Sequence, residues 1–234
     1  MKHSATARNR CHTPHLVTGV AICLAALTFG LAPPAMGESA PEPPLSPRMP
    51  LIDATTRAEA DGYARVDRLV RRSAAVPDVF DPAVCADKAT AEHLRSSLLE
   101  HSLWIETQQA AHLEMIESLP GRLAQVPTRE PYREDLISLY AKASPERSRR
   151  VEAIYREEIS AAEIRVAFLD QVIGGAVQPK PSGFVFAGEA DAARYRQTIA
   201  ALNQAFANQD RLIAEYYAWE IEQKAAFRQF RSQL

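Results

Sequence analysis

The residues best suited to chemistry in this chain are three histidines that fall in one predicted helix. Beyond the first fifteen residues, histidine occurs only at positions 93, 101 and 112. His101 and His112 are close to three full helical turns apart and share a face, but the helical rise separates them by about 16 Å along the axis. Because a metal ion binds each ligand at about 2 Å, one ion cannot join them. The spacing favours a structural polar seam of His101, Gln109 and His112 in which buried polar groups are hydrogen-bonded. The alternative is a ligand- or metal-binding site in a helical bundle.

No motif for cofactor or nucleotide chemistry occurs in the sequence. A di-iron helix pair would need glutamate three residues before a histidine, and those positions hold Thr90, Leu98 and Gln109. The chain has no glycine-rich phosphate loop, no Gly-x-Ser-x-Gly nucleophile turn, no His-Glu-x-x-His helix and no Cys-x-x-Cys pair. The sequence therefore predicts no cofactor, no metal and no catalytic residue.

Paired carboxylates are the remaining source of acid–base chemistry. The doublets at 134–135 and 157–158 are Glu-Asp and Glu-Glu, and both lie in predicted helices that also carry arginine. Such doublets are typical of solvated faces with ion pairs one turn apart, each pair contributing about 0.2–0.5 kcal/mol. We interpret both doublets as surface residues, and an all-α hydrolase with a catalytic Glu or Asp is the least supported alternative.

Helical periodicity accounts for most of the chain after residue 50. Apolar residues recur at steps of three and four, and prolines and glycines mark the breaks between segments. These breaks predict about five helices, at residues 56–75, 88–118, 131–142, 145–173 and 188–234. The second helix is apolar on two sides, along Leu94 and Leu98 and along Leu99 and Leu103, which predicts an inner position between other helices. A non-helical stretch at 176–187 precedes the last helix.

The last segment has the clearest pattern and reads as one helix of about 44 residues and about 65 Å. Its apolar stripe consists of Tyr195, Ile199, Leu202, Phe206, Ile213, Tyr217, Ile221, Phe227, Phe230 and Leu234. A helix of this length cannot bury its stripe alone, so the other helices must pack against it. The predicted fold class is all-α: an elongated helical bundle with coiled-coil-like packing and a long C-terminal helix.

Two groups of residues on the last helix are candidate partner-binding sites. Tyr216 and Trp219 lie in a cluster with aromatic rings on more than one side of the helix, and Tyr and Trp are common interface anchors. Phe227, Phe230 and Leu234 lie on the part expected to project about 20 Å beyond the shorter fourth helix. Core packing is the alternative explanation for one ring of the first group, and coverage by the first helix is the alternative for the second group.

The N-terminal segment has the order of a secretory signal: a basic start, an apolar run at residues 16–32, and then prolines and small residues. We predict a cleaved signal at 1–37, a proline-rich linker at 38–50 and a single α-helical bundle domain at 51–234. The alternative is an inner-membrane anchor formed by residues 16–32. The predicted location is the periplasm.

Charge and cysteine content restrict the partners. The formal net charge is −2, and loss of residues 1–37, which carry basic residues and no acidic one, leaves a more acidic chain. Such a chain has no basic footprint for nucleic acid. Cys85 would then be the remaining cysteine, and we expect it to be buried rather than disulfide-bonded. We predict an exported scaffold, adaptor or chaperone-like protein that binds protein partners or itself, and touches a membrane only through the signal or anchor segment.

Overall fold

The chain folds into four α-helices and one β-hairpin over the residues that the computed structural model describes, 50–127 and 132–232, with side chains described up to residue 225. In chain order the elements are α1 (Pro50–Ala74), α2 (Lys88–Ala124), α3 (Arg133–Ile173), β1 (Val177–Lys180), β2 (Gly183–Phe186) and α4 (Glu189–Ser232). The predicted all-α helical bundle is confirmed. The predicted signal segment and nearly all of the predicted linker lie outside the described residues.

Two prolines that the sequence places between helices lie inside them. Pro120 is within α2 and Pro145 is within α3, so the helices predicted at 131–142 and 145–173 are one helix of 41 residues. A proline inside a helix removes one backbone hydrogen bond. Leu136 and Val151 are both fully buried, on either side of Pro145, and this packing keeps the helix continuous despite the lost bond.

The starts of the first two helices have different causes. α1 begins at Pro50, earlier than predicted, because Leu51 and Thr55 in its first turns are buried and therefore have packing partners. α2 begins after Asp87, whose side chain accepts a hydrogen bond from the backbone N–H of Thr90 at 2.8 Å. That bond from Thr90 holds the pKa of the Asp87 carboxyl below its ordinary value.

α3 is an inner helix of the bundle, and α2 is inner only in part: it packs between α3 and α1, but its second predicted apolar side, at Leu99 and Leu103, is exposed. Both α2 and α4 pack along α3, whereas α1 packs on α2. The largest apolar cluster joins all four helices and includes Val66, Ile105, Ile154 and Ile213. Hydrophobicity alone does not reveal α3 as an inner helix, because several of its buried positions hold charged residues.

The predicted non-helical stretch at 176–187 forms an antiparallel β-hairpin. Its turn ends at Gly183, whose φ of 138° lies in a region that glycine alone adopts readily. Phe184 on β2 packs edge-to-face against Phe168 of α3, with ring centroids 5.3 Å apart. Cys85 belongs to the same core cluster and is a free, buried thiol, as predicted. The hairpin thus covers an apolar cluster next to α3.

The long last helix is confirmed, and its buried face shares Leu202 and Ile213 with the predicted stripe but otherwise runs along neighbouring positions. Its buried residues recur at steps of three and four and are Leu202, Ala205, Gln209, Ile213, Tyr216 and Glu220. Ile221, which the sequence places in the stripe, is 66% exposed. The face differs because Gln209 and Glu220 find polar partners on α3, so polar residues take positions that a hydrophobic pattern assigns to apolar ones.

Candidate functional site

Buried charge joins α2, α3 and α4 in what we call the Glu158 cluster, formed by Glu158, His101, Arg165 and Gln209. Glu158 is wholly buried. Its carboxylate accepts a hydrogen bond from the Gln209 amide at 3.0 Å and lies 3.4 Å from Nε2 of His101. The Arg165 guanidinium is 4.0 Å from the same carboxylate. This arrangement places a compensated negative charge inside the bundle.

The Glu158 carboxyl is ionised in these surroundings. Burial by itself would raise the pKa of this group, but hydrogen bonds from His101, Ser73 and Gln209 and the nearby Arg165 charge hold the pKa below its ordinary value. An ionised carboxylate only accepts hydrogen bonds, so Nε2 of His101 carries the proton that faces it. The cluster therefore fixes the orientation of the His101 ring.

A second buried ion pair, which we call the Arg147 pair, joins α3 to α4. The Nε and Nη2 atoms of Arg147 donate to the two carboxylate oxygens of Glu220 at 2.6 and 3.1 Å. The Arg147 guanidinium also lies over the rings of Tyr140 and Trp219, at 5.5 and 5.4 Å from their centroids. Both charged side chains are almost completely buried, so each one depends on the other for its solvation.

The Arg147 pair adjoins a smaller polar contact on α1. The Tyr140 hydroxyl donates to Oε1 of Glu59 at 2.6 Å, and the Lys224 amine lies 3.4 Å from Oε2 of the same carboxylate. Burial, followed by the Glu59 charge, raises the pKa of Tyr140, so the hydroxyl keeps its proton. This contact links α1 to both α3 and α4.

His112 is fully buried between these clusters, and neither of its ring nitrogens has a hydrogen-bond partner among the described residues. Burial, with the charges of Arg65 and Arg147 adding to it, lowers the pKa of His112 to about 4. Its ring lies edge-on to Tyr155, with centroids 6.0 Å apart. The adjoining cavity of about 20 Å³ is too small for an organic ligand. His112 is therefore a neutral core residue at neutral pH.

The predicted polar seam of His101, Gln109 and His112 does not form one network. His101 belongs to the Glu158 cluster, His112 lies apart from it without a hydrogen bond, and Gln109 is half-buried with no side-chain hydrogen bond to the described residues. Within residues 50–127 and 132–225, no three side chains of His, Cys, Asp or Glu are grouped so that they could hold a metal ion. The clusters are arranged to hold helices together.

The candidate partner-binding residues have mixed positions. Partner binding would require Tyr216 to lie at the surface. Tyr216 is only 3% exposed and packs in the largest apolar cluster, so the prediction of a surface position for this residue is wrong. Trp219 is half-buried against the guanidinium groups of Arg147 and Arg150. The side chains of Phe227 and Phe230, and all of Leu234, lie outside the described part of the chain. The prediction for that end of α4 stays a prediction.

An apolar surface that does face solvent lies on α2. We call it the outer face of α2; its residues lie at steps of three and four and are Leu99, Leu103, Glu106, Ala110, Glu114 and Glu117. Leu99 is 46% exposed and Leu103 is 65% exposed. Apolar residues on this side are the second stripe that the sequence assigns to helix packing. No described helix covers them.

Sequence reasoning missed the charged residues that occupy the buried face of α3. That face repeats at steps of three and four and consists of Arg147, Val151, Ile154, Glu158, Ala162, Arg165 and Leu169. The interpretation of Glu158 as a solvated residue is therefore wrong, while Glu134 and Asp135 are exposed as predicted. The sequence did contain one indication of this burial. Each missed residue lies at helical spacing from the apolar residues of the stripe, although its own side chain is charged.

No helix among the described residues is long and apolar enough to cross a membrane. Comparisons of the chain with protein-family models, with curated proteins and with solved structures find no match. Any functional conclusion must therefore come from the chemistry of the chain itself.

Proposed function

We propose that this protein is an exported helical adaptor that binds a partner protein through the outer face of α2. The observation that carries the proposal is the exposure of Leu99 and Leu103, one helical turn apart, on a helix whose opposite side is packed in the core. Single exposed leucines are common on protein surfaces, but two of them four residues apart on one helix face have the spacing with which helices pack on each other.

The charge of this surface indicates the chemistry of the partner. From residue 96 to residue 118 the sequence contains glutamates and no lysine or arginine. Glu106, Glu114 and Glu117 make no ion pair with any described residue. A partner helix that presents apolar residues flanked by lysine or arginine would cover the leucines and neutralise the glutamates. We therefore assign the outer face to a basic amphipathic helix.

The ligand- or metal-binding alternative has less support. Its candidate residues, His101 and His112, belong to separate buried surroundings, and the cavity at His112 is very small. The catalytic alternative needs a carboxylic acid with a raised pKa in a cleft. The wholly buried carboxyl of Glu158 has a lowered pKa instead, which supports a structural role for it.

The binding proposal predicts the effect of a charge placed between the leucines. A synthetic amphipathic helix with leucines on one face and lysines on the other should bind the protein, and Leu103→Glu should weaken that binding at least about tenfold, because it buries a carboxylate against apolar side chains. Fluorescence anisotropy of the labelled peptide measures the affinity. Raising the salt concentration should weaken binding to the unmodified protein.

Ile221→Glu is the matched control, because Ile221 is as exposed as Leu103 but lies on α4. It should leave the affinity unchanged, and a peptide with glutamate in place of lysine should not bind. An equal loss of peptide affinity in both variants would show that the peptide responds to net charge alone. Unchanged peptide binding by Leu103→Glu would show that the outer face of α2 is not the binding surface. Concentration-dependent mass lost in Leu103→Glu would assign the face to a second copy of the chain instead.

The export part of the proposal rests on the order of basic, apolar and small residues in the first 37 positions. It predicts a mature chain that lacks about 37 to 40 residues, measured by intact mass on protein recovered from the cell envelope. The proline-rich segment that follows would then begin the mature protein. A full-length mass in the membrane fraction would instead establish residues 16–32 as an anchor.

A further inference from the structure

A cavity of about 190 Å³ lies between the C-terminal end of α1, the loop that follows it, and α2. Val76, Val79, Leu94 and Leu98 supply apolar walls to this cavity. Cavities of about 150 Å³ accept a molecule the size of benzene, so this one has room for a ligand of similar size or a little larger. Volume and lining together suit a short aliphatic group.

The arginine and the serine at this cavity can donate hydrogen bonds to a ligand, whereas His101 directs its Nε2 proton to Glu158. Arg72, Ser97 and His101 line the cavity, and no carboxylate among the described residues does. Arg72 makes no ion pair within the described part of the chain, and its guanidinium lies over the Trp104 ring, 4.2 Å from the centroid. An arginine free of carboxylates, held by an aromatic ring at the edge of an apolar cavity, is suited to bind an anion.

His101 is held in place from behind. Its Nε2 faces the buried Glu158 carboxylate at 3.4 Å, and its ring stacks on Trp104 with an interplanar angle of 14°. Gln209 and Arg165 also contact the Glu158 carboxylate, which itself does not line the cavity. The His101 ring that lines the cavity is therefore pre-arranged, which lowers the ordering cost of binding.

We infer that this cavity binds a small aliphatic carboxylate, with its charged end at Arg72 and Ser97 and its hydrocarbon part among the valines and leucines. The same chemistry occurs in two sources: a free short-chain acid, and the C-terminal residue of a peptide that ends in an aliphatic side chain. This site is separate from the outer face of α2 and does not depend on the proposed function.

Trp104 provides a direct probe of the site. The chain has two tryptophans, Trp104 and Trp219, so the Trp219→Phe variant emits from Trp104 alone. Titration with 3-methylbutanoate or with N-acetyl-leucine should change this emission saturably, with a dissociation constant below about 10 mM, as expected for a ligand of this size. The neutral amide of 3-methylbutanoate should bind at least tenfold more weakly. Calorimetric titration of the unsubstituted chain gives the same comparison should Trp219→Phe lower the melting temperature.

Arg72→Gln should abolish the difference between the acid and its amide, because it removes the charge but not the apolar walls. Arg71→Gln is the matched control, since Arg71 is an exposed neighbour that pairs with Asp67 at 2.7 Å and does not line the cavity. Tighter binding of N-acetyl-leucine would assign the peptide source, and tighter binding of the free acid would assign the small molecule. Equal affinities for acid and amide, or no saturable signal from either carboxylate by fluorescence and calorimetry, would overturn the inference.

Discussion

Replacing Arg147 with methionine is expected to lower the free energy of unfolding by about 3–5 kcal/mol. The substitution leaves the Glu220 carboxylate in an interior position, where its side chain is 3% exposed and has lost two hydrogen bonds. A buried charge without a partner cannot recover its hydration, and this cost exceeds the attraction that the pair contributes to the folded state. Urea unfolding at neutral pH, followed by circular dichroism, measures the change.

The double variant Arg147→Met with Glu220→Leu distinguishes loss of a pair from loss of packing. It removes both charges, so we expect most of the stability lost in the single variant to return. Arg211→Met is the surface control: Arg211 and Glu215 are 2.7 Å apart but both side chains are largely exposed, and loss of such a pair costs about 1 kcal/mol or less. A single variant as mild as this control would show that Glu220 reaches solvent.

The helical class of this protein follows from the sequence because many residues contribute to it at once. The 3.6-residue period extends over each long segment, and a few exceptions do not obscure it, so α4 is recovered almost to its ends. The β-hairpin lacks this redundancy and appears in the sequence only as a break between helices. Its strands hold four residues each, which is too few for an alternating pattern to be recognised.

Helix continuity at Pro145 could not be predicted, because proline is a local signal and the opposing effect is tertiary. The buried residues on both sides of Pro145 pack on other helices, and that free energy outweighs one missing backbone bond. A single sequence shows that Pro145 removes a backbone hydrogen bond, but it does not show which residues of other helices pack around that position.

The buried ion pairs could not be predicted for a related reason. Arg147 and Glu220 are 73 residues apart along the chain, and the sequence around each residue does not indicate that the other is its partner. Charged residues are rarely buried without partners, so a residue-by-residue reading places them at the surface. The one usable indication was their spacing, because they lie three or four residues from buried apolar residues of the same helix. Extending the apolar stripe through charged positions would have predicted Glu158 and Arg165 as core residues.

The pH dependence of stability should come in part from His112. Burial lowers its pKa in the folded protein to about 4, below the 6.5 of the unfolded chain. Between these two values the unfolded state binds a proton that the folded state does not, so stability falls as the pH decreases. The stabilisation is complete above pH 6.5 and is lost by about pH 4. A difference of this size corresponds to about 3 kcal/mol.

Replacing His112 with leucine is expected to remove this contribution. At pH 7 the variant should unfold within about 1 kcal/mol of the original protein, since the replaced imidazole is neutral and makes no hydrogen bond to the described residues. Near pH 4.5 the variant should be the more stable protein by about 2–3 kcal/mol, because leucine cannot be protonated. Urea unfolding at several pH values in this interval gives the difference curve.

Carboxylates with lowered pKa values, Glu146 and Glu158 among them, also lose stabilisation in acid, but they are present in both proteins and cancel in the difference. His93→Gln is the control, because His93 is exposed whereas His112 is buried. A His112→Leu curve parallel to the original one would mean that the imidazole is protonated inside the fold, which requires a counter-charge close to it. The charges that act on the pKa of His112 are instead those of the cations Arg65 and Arg147, and both lower it, so we expect the curves to diverge as the pH decreases.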